Sequence, residues 1–211
     1  MSDSFKKQEV EHYERKRYRG LDQKLVHARE NRILRQILNK IGKEDTLVLD
    51  VPCGYGRFSS LMLERGYSLV SSDLSFHMVK RTMSRSKKSE RVSGVVADGI
   101  FGLPFKGDVF DLILSMRFFH HLHQREERKA VLGEFSRLGK EWVILSYYQI
   151  NPLHVIQRKL RRRIKKSKTQ IKMLSREEFG KEVEEKGFKI VHIIPLFKGI
   201  HSQHIALLQK G

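Results

Sequence analysis

The sequence predicts an α/β chain on a doubly wound, mostly parallel sheet, and three observations lead there. From Thr46 to Tyr148, short apolar runs without helical period alternate with helix-forming stretches, the alternation that builds a parallel sheet. The first run, Thr46 to Val51, opens into a turn holding Gly54 and Gly56, with the helix-forming stretch Arg57 to Arg65 behind it. Asp73 then ends the next run. A strand, a glycine turn, a helix and a second strand closed by a carboxylate mark the crevice in which such sheets take nucleotide-type ligands.

Each element has its own signal. Leu21, Leu25, Ala28, Leu34, Ile37, Leu38 and Ile41 recur at helical spacing and predict a long amphipathic helix ending near Gly42. After the glycine turn the pattern gives a strand at Ser68 to Ser72, a helix from Phe76 to Arg85, and strands at Val92 to Val96 and Val109 to Ser115. A helix from Gln124 to Leu138 and a strand from Trp142 to Tyr148 follow, and Asn151-Pro152 breaks the series. Ser175 with Glu178 forms a capping box for a helix ending near Gly187. Phe188 to Pro195 and His204 to Gln209, joined by a short turn, read as an antiparallel hairpin, bringing the sheet to seven strands.

At 211 residues the chain fits one α/β domain with a modest addition. It divides into an N-terminal helical cap (1–42), a core (46–150), a basic helical insertion (151–174) and a C-terminal helix with the strand hairpin (175–211). Cys53, the one cysteine, excludes an intramolecular disulfide and a cysteine-rich zinc site. The start is charged and lacks a secretory core, and no apolar run nears the roughly 20 residues needed to span a bilayer. The expected location is cytoplasmic, with room for peripheral attachment to the inner membrane surface.

The formal charge of +18 attracts nucleic acid or anionic lipid. Much of it lies in Arg158 to Lys168, RKLRRRIKKSK, where eight of eleven residues are basic and Leu153, Ile156, Leu160 and Ile164 form a narrow apolar stripe. Such a helix suits an anionic membrane surface or RNA. A solvated helix that only keeps the protein soluble is the plainer explanation.

The glycine turn is not a dinucleotide fingerprint, because Ser59 stands where a third glycine or alanine belongs, and it is not a P-loop, because no Gly-Lys-Ser or Gly-Lys-Thr follows. Carboxylates instead surround it. Asp50 ends the first strand, Asp73 ends the second and can accept both hydroxyls of a ribose, and Asp98 follows the third.

Four motifs in order carry a resemblance. DVPCGYG (residues 50–56) stands at the first strand, and Asp73-Leu74-Ser75-Phe76-His77-Met78 at the second. Ala97-Asp98 with Leu103-Pro104-Phe105 follows the third, and Phe110-Asp111-Leu112-Ile113 with His120-His121-Leu122 marks the fourth. Over Thr46 to Tyr148 the chain resembles the class I S-adenosylmethionine-dependent methyltransferases, particularly the small-molecule group that includes quinone-biosynthesis methyltransferases. The resemblance implies a Rossmann-like fold, S-adenosylmethionine as cofactor and S-adenosylhomocysteine (SAH) as product. Asp50, Gly54 and Gly56 would hold the methionine portion, Asp73 the ribose, and Asp98 with Gly99 the adenine edge. Pro52, Leu74, Met78 and Ser115 complete the cofactor set. Pro52 departs from the family's first glycine; it fixes φ and removes a backbone donor, but stiffens the turn rather than filling it, so the pocket is expected to persist.

Methyl transfer from a sulfonium is an in-line displacement, so the protein aligns the reactants and excludes water. A hydroxyl or protonated amine as acceptor also needs a base, for which His120 and His121, after the fourth strand, are the candidates, with only one placed to enter the crevice easily. Arg117, Tyr147, Tyr148, Tyr18 and His204 are candidate acceptor contacts, and Tyr13 and Tyr18 can also close over the cofactor. No metal is expected: an H-E-x-x-H pattern is absent, and His120, His121 and His123 lack nearby carboxylates. Ser115-Met116-Arg117-Phe118 replaces the Asn/Asp-Pro-Pro-Tyr of N6-adenine methyltransferases, and Cys53 belongs to the turn, not to a cytosine-C5 nucleophile site. The expected acceptor is therefore O or N of a small or lipid-linked, anionic molecule. The alternatives are an RNA methyltransferase docking through the basic helix, and a non-catalytic binding subunit.

Overall fold

The structure, a computed structural model, describes residues 21–86, 89–100, 102–150 and 171–211. The basic tract Arg158 to Lys168, Tyr13 and Tyr18 lie outside them. Helix α1 (Leu21–Ile41) runs to Gly42, whose N–H returns to the Leu38 carbonyl. There follow β1 (Leu47–Asp50), α2 (Ser59–Leu63), β2 (Ser68–Asp73), α3 (Phe76–Arg85), β3 (Val92–Val96) and β4 (Phe110–Ser115). A single 3-10 turn (Phe119–His121) leads to α4 (Arg125–Leu138), β5 (Gly139–Tyr148), α5 (Arg176–Glu184), β6 (Phe188–Pro195) and β7 (Gln203–Lys210).

One sheet carries all seven strands in the order β3-β2-β1-β4-β5-β7-β6. β1 to β5 pair in parallel, while β7 lies antiparallel between β5 and β6. The chain winds outward from β1 through β2 to β3, then restarts beside β1 with β4. This reversal between β1 and β4 is the switch point where the crevice of an open α/β sheet opens.

Alternation along the strands sorts the core onto two faces. Leu49, Ile113, Val143, Leu145, Ala206 and Leu208 face α4 and α5, packing on Val131, Phe135, Phe179 and Val183. Val48, Leu112, Leu114, Ile144 and Leu207 face the other way, onto Ile33, Leu34, Ile37 and Leu38 of α1 and Leu61 and Met62 of α2. Burial on both faces explains why these strands read as continuous apolar runs. Capping boxes set the starts of α4 (Gln124 with Glu127) and α5 (Ser175 with Glu178).

The helix expected over Arg57 to Arg65 is shorter, from Ser59 to Leu63. Gly56 at φ +74° and Phe58 as N-cap hold the preceding residues in the turn, so helix propensity at Arg57 yields to turn geometry. A buried ion pair, Arg128 Nη2 to Glu182 Oε1 at 2.7 Å, joins α4 to α5, both side chains 4% exposed. The same guanidinium donates to the carbonyls of Leu122, His123 and Gln124 and so fixes the loop behind His121.

Candidate functional site

The C-terminal ends of β1, β2 and β4 converge on a cavity of about 890 Å³, within the ~300–1,000 Å³ range of ligand sites. Its wall on the glycine side runs from Asp50 through Val51, Pro52, Cys53, Gly54 and Tyr55 to Arg57 and Phe58. Three backbone bonds shape this turn: Val51 N–H to the Leu114 carbonyl (2.9 Å), Cys53 N–H to that of Ser72 (2.8 Å), and Gly56 N–H to that of Cys53 (3.1 Å). Pro52 lacks a donor, and neither Pro52 nor Tyr55 fills the cavity that they line.

The two glycines serve different needs. At Gly54, φ is +54° and a Cβ would meet nothing within 4 Å, so it keeps the cavity side of the turn open. At Gly56, φ is +74° and a Cβ would stand 2.9 Å from Thr82 Cγ2. Gly56 therefore lets the turn close onto α3, and it does not itself line the cavity. Thr82 completes that contact by donating from Oγ1 to the Gly54 carbonyl at 2.9 Å.

Asp73 fixes the turn from the β2 side. Its Oδ2 accepts the Gly54 N–H (2.9 Å) and its Oδ1 the Ser75 N–H (3.0 Å). Burial raises its pKa against the pull of those bonds. Asp50 is more extreme: it is buried, its Oδ2 has no hydrogen-bond partner, and burial together with the nearby Asp73 charge pushes it up to about 8. A buried carboxylate oxygen without a partner needs a donor, and a cationic ligand group supplies one. Asp98 holds its loop by accepting the Ile100 N–H at 2.8 Å. Asp98 and Gly99 face the cavity together with Leu74 and Met78.

Of the residues named from sequence for the cofactor, Asp50, Pro52, Gly54, Asp73, Leu74, Met78, Asp98 and Gly99 line this one cavity. Ser115 lies beneath it, buried, its Oγ without a partner. Of the acceptor candidates, Arg117 and His121 line the cavity. His120 is buried behind them, its ring 4.1 Å from that of His121 and 4.6 Å from that of Tyr148. Tyr147 stacks on Phe179 at 3.9 Å and donates to Gln149 Oε1, and burial pushes its phenol up to about 12. His204 sits beside Tyr147, with Nδ1 2.9 Å from the Ser202 carbonyl. Tyr147, Tyr148 and His204 thus stand outside the cavity wall. Cys53 is buried with its thiol pKa well raised, which suits a small packing residue and no nucleophile.

Other wall residues went unread in the sequence: Arg57, Phe58, Met116, Phe118, Glu126 and Glu127. So did the group that orients two of them. Glu30 of α1, fully buried, accepts from Arg117 Nε (2.7 Å) and Nη2 (3.0 Å), from Arg57 Nη2 (3.1 Å), and from Gln203 Nε2 of β7 (2.7 Å). The signal was present, because Glu30 precedes Ile33, Leu34, Ile37 and Leu38 at helical spacing and so falls on the apolar face. Among the described residues no group of three or more His, Cys, Asp or Glu is placed to hold a metal ion.

An open cradle at the sheet's switch point, ringed by carboxylates from three strand ends, has counterparts among known proteins. Residues 48–141 match the family model of a methyltransferase domain. That match takes in a little under half of the chain, and the seven-stranded sheet around it has the fold of solved methyltransferases.

Over 100 residues, 47% of the chain, it is 33% identical to 36% of the malonyl-(acyl-carrier protein) O-methyltransferase of Hamiltonella defensa. Over 110 residues, 51% of the chain, it is 29% identical to 47% of the demethylmenaquinone methyltransferase of Thermobifida fusca. The chain thus matches less than half the length of either relative. In fold it is similar to the magnesium protoporphyrin IX methyltransferase of Synechocystis with bound SAH, with a TM-score of 0.76 at 18% identity over 91% of this chain and 88% of that one.

Proposed function

We propose that the protein transfers a methyl group from S-adenosylmethionine to O or N of a small or lipid-linked, anionic acceptor. The observation that carries the cofactor half is the unpartnered Oδ2 of Asp50 in a cavity wall whose glycine turn is held open by Asp73. When bound, S-adenosylmethionine supplies an electrophilic methyl on a sulfonium. Asp50 offers its carboxylate to the ligand's ammonium group, and Asp73, while keeping Gly54 in place, has lone pairs left for ribose hydroxyls. Asp98 and Gly99 meet the adenine edge, with Leu74 and Met78 as apolar walls.

The rest of the cavity receives the acceptor. Met116 and Phe118 exclude water beside the reacting atoms. His121 takes a proton at a ring nitrogen where the acceptor is a hydroxyl or ammonium, and His120 and Tyr148 pack behind it. The names of the three relatives speak of malonyl on a carrier protein, demethylmenaquinone and magnesium protoporphyrin IX, which favours a small or carried acceptor over RNA.

Arg158 to Lys168 would dock the protein on an anionic membrane surface beside the acceptor. Support comes from where the stretch departs and returns. Ile150 N–H reaches the Leu174 carbonyl and Lys172 N–H the His120 carbonyl, both at the crevice end of the sheet. No helix among the described residues is long and apolar enough to cross a membrane.

The test is transfer of a labelled methyl from S-adenosylmethionine into fractionated cell extract. Label in the small-molecule or lipid fraction supports this reading. Label in RNA supports docking of RNA on the basic tract Arg158 to Lys168, and no label in any fraction supports a binding subunit.

A further inference from the structure

We propose that the crevice end of the sheet is the face that meets an anionic membrane, where Leu25, Leu74, Phe76, Val96, Ile150 and Ile200 enter the lipid surface around the cavity mouth. The inference rests on the methyltransferase reading and deepens its docking part, adding an apolar rim to the basic tract Arg158 to Lys168 and turning the mouth toward a lipid-linked acceptor.

Seven large apolar side chains are exposed among the described residues, and six of them gather at this one end. Val96 closes β3 opposite Asp73, and Leu74 and Phe76 follow that carboxylate. Ile150 comes just after β5, and Ile200 lies in the turn that brings β7 back beside the same strand end, where Gln203 pairs with Tyr148. Leu25 sits on the half of α1 that reaches the crevice, since Glu30, further along the helix, meets Arg117 and Gln203 there. The six are 49–65% exposed; the seventh, Val191 in the middle of β6, is 38% exposed. Single exposed apolar residues are ordinary. A set of six from separate segments, all around the mouth of one cavity, marks an interaction surface.

The charges beside these residues select the partner. Lys24, exposed, is next to Leu25 on α1, Lys80 Nζ stands 5.8 Å from the centre of the Phe76 ring, and exposed Lys198 shares the β6–β7 turn with Ile200. Lysine stems lie along apolar surface while their heads reach phosphate, an arrangement that suits a lipid interface. The stretch that holds Arg158 to Lys168 leaves this end after Ile150 and rejoins it at Lys172. Each basic group near an anionic surface strengthens association by about fivefold. Exposed acids at the same end, Asp22, Glu126, Glu177 and Glu178, stand in the first turns of α1, α4 and α5, where the helix dipoles favour them.

RNA and protein fit the rim less well. Five of the six side chains are aliphatic, a poor stacking platform for bases. A protein interface centres on one packed aromatic or arginine cluster, whereas these side chains surround an opening that a rigid partner would close. A lipid surface is soft, and it leaves the mouth facing the source of the acceptor.

The experiment is sedimentation of the full chain with phosphatidylcholine vesicles made with and without phosphatidylglycerol, in low and in high salt. The parent should partition at least about tenfold more strongly onto the phosphatidylglycerol vesicles. Phe76→Ser combined with Ile200→Ser should weaken that partitioning by about tenfold or more, and by the same factor in high salt, because apolar burial is not screened. Val191→Ser, away from the rim, should change it by less than about twofold. A thermal melt and an SAH titration of each variant should match the parent, since Phe76, Val191 and Ile200 do not line the cavity.

Partitioning that Phe76→Ser with Ile200→Ser leaves unchanged overturns the proposal, because the basic tract then docks alone. So does an equal loss with Val191→Ser, which makes the effect a general stickiness of exposed apolar groups. A parent that binds neither vesicle, or binds RNA in place of them, overturns it as well. Vesicle binding through the rim without an SAH isotherm keeps the docking face and sinks the methyltransferase reading; an SAH isotherm without vesicle binding does the reverse.

Discussion

Asp73 Oδ2 accepts the Gly54 N–H at 2.9 Å, so the carboxylate that ends β2 also closes the glycine turn that follows β1. One residue thereby shapes the wall and presents a charge to whatever enters. In the proposed complex these two roles work together, because a ligand hydroxyl bonded to Asp73 meets a group already immobilised by Gly54 and Ser75.

The paired glycines should separate stability from binding. Gly54→Ala places a Cβ in open cavity at φ +54°, costing about 1–2 kcal/mol of stability from the left-handed backbone alone, but weakening SAH binding strongly. Gly56→Ala adds a clash with Thr82 to a similar strain and should be the less stable of the two. Urea denaturation and SAH titration of both variants check the order.

Asp50 should make the protein less stable as pH rises. Its native pKa is raised to about 8, whereas an unfolded chain ionises it near the ordinary value of about 4. Below pH 4 both states hold the proton and the group's stabilising contribution is complete. That contribution is lost as pH climbs through about 8, by up to about 1.4 kcal/mol per pH unit between the two values. Asp50→Asn removes the titration, so urea denaturation at pH 5 and pH 8 should show the variant gaining on the parent by about 2 kcal/mol or more. Parallel pH profiles would contradict this.

His121 and His120 should part company. His121 faces the cavity, and His121→Ala should lower the rate of labelled-methyl transfer by about 10²-fold or more if the histidine moves a proton, with little change in thermal stability. His120→Ala removes a buried ring from the stack with His121 and Tyr148 and should cost about 1–3 kcal/mol of stability. A rate unaffected by His121→Ala would assign the residue a shaping role.

The Arg128 and Glu182 pair should behave as a buried ion pair. Glu182→Leu leaves the Arg128 charge in the core and should cost about 3–5 kcal/mol, whereas Arg128→Met combined with Glu182→Leu should recover much of it. Equilibrium denaturation of the single and double variants gives the coupling. Because Arg128 also holds the carbonyls after His121, the single variant should loosen that loop as well.

The strands were legible because parallel strands buried on both faces leave unbroken apolar runs, as at Val109 to Ser115, and helix starts because capping boxes such as Ser175 with Glu178 have a local chemistry; the order of the strands in the sheet came from the structure alone. The carboxylates that line the cavity were legible for a related reason: they sit at strand ends, where sequence spacing alone fixes position. Arg57, Glu30 and Gln203 were not, since their meeting joins residues 27 and 173 positions apart in sequence. Helix propensity hid Arg57 inside an expected helix that begins only at Ser59. Tyr147 and Tyr148 illustrate the opposite limit, since the end of a strand places both near the crevice while the packing of Phe179 and His120 draws their rings away from its wall.

Titration calorimetry of the full chain with SAH, beside Asp73→Ala, tests the central claim most directly. The parent should give a saturable isotherm, and the variant should bind at least about tenfold more weakly, as loss of charge-assisted hydrogen bonds requires. A parent that gives no binding heat at any temperature tried, or a variant with an unchanged isotherm, would contradict the account.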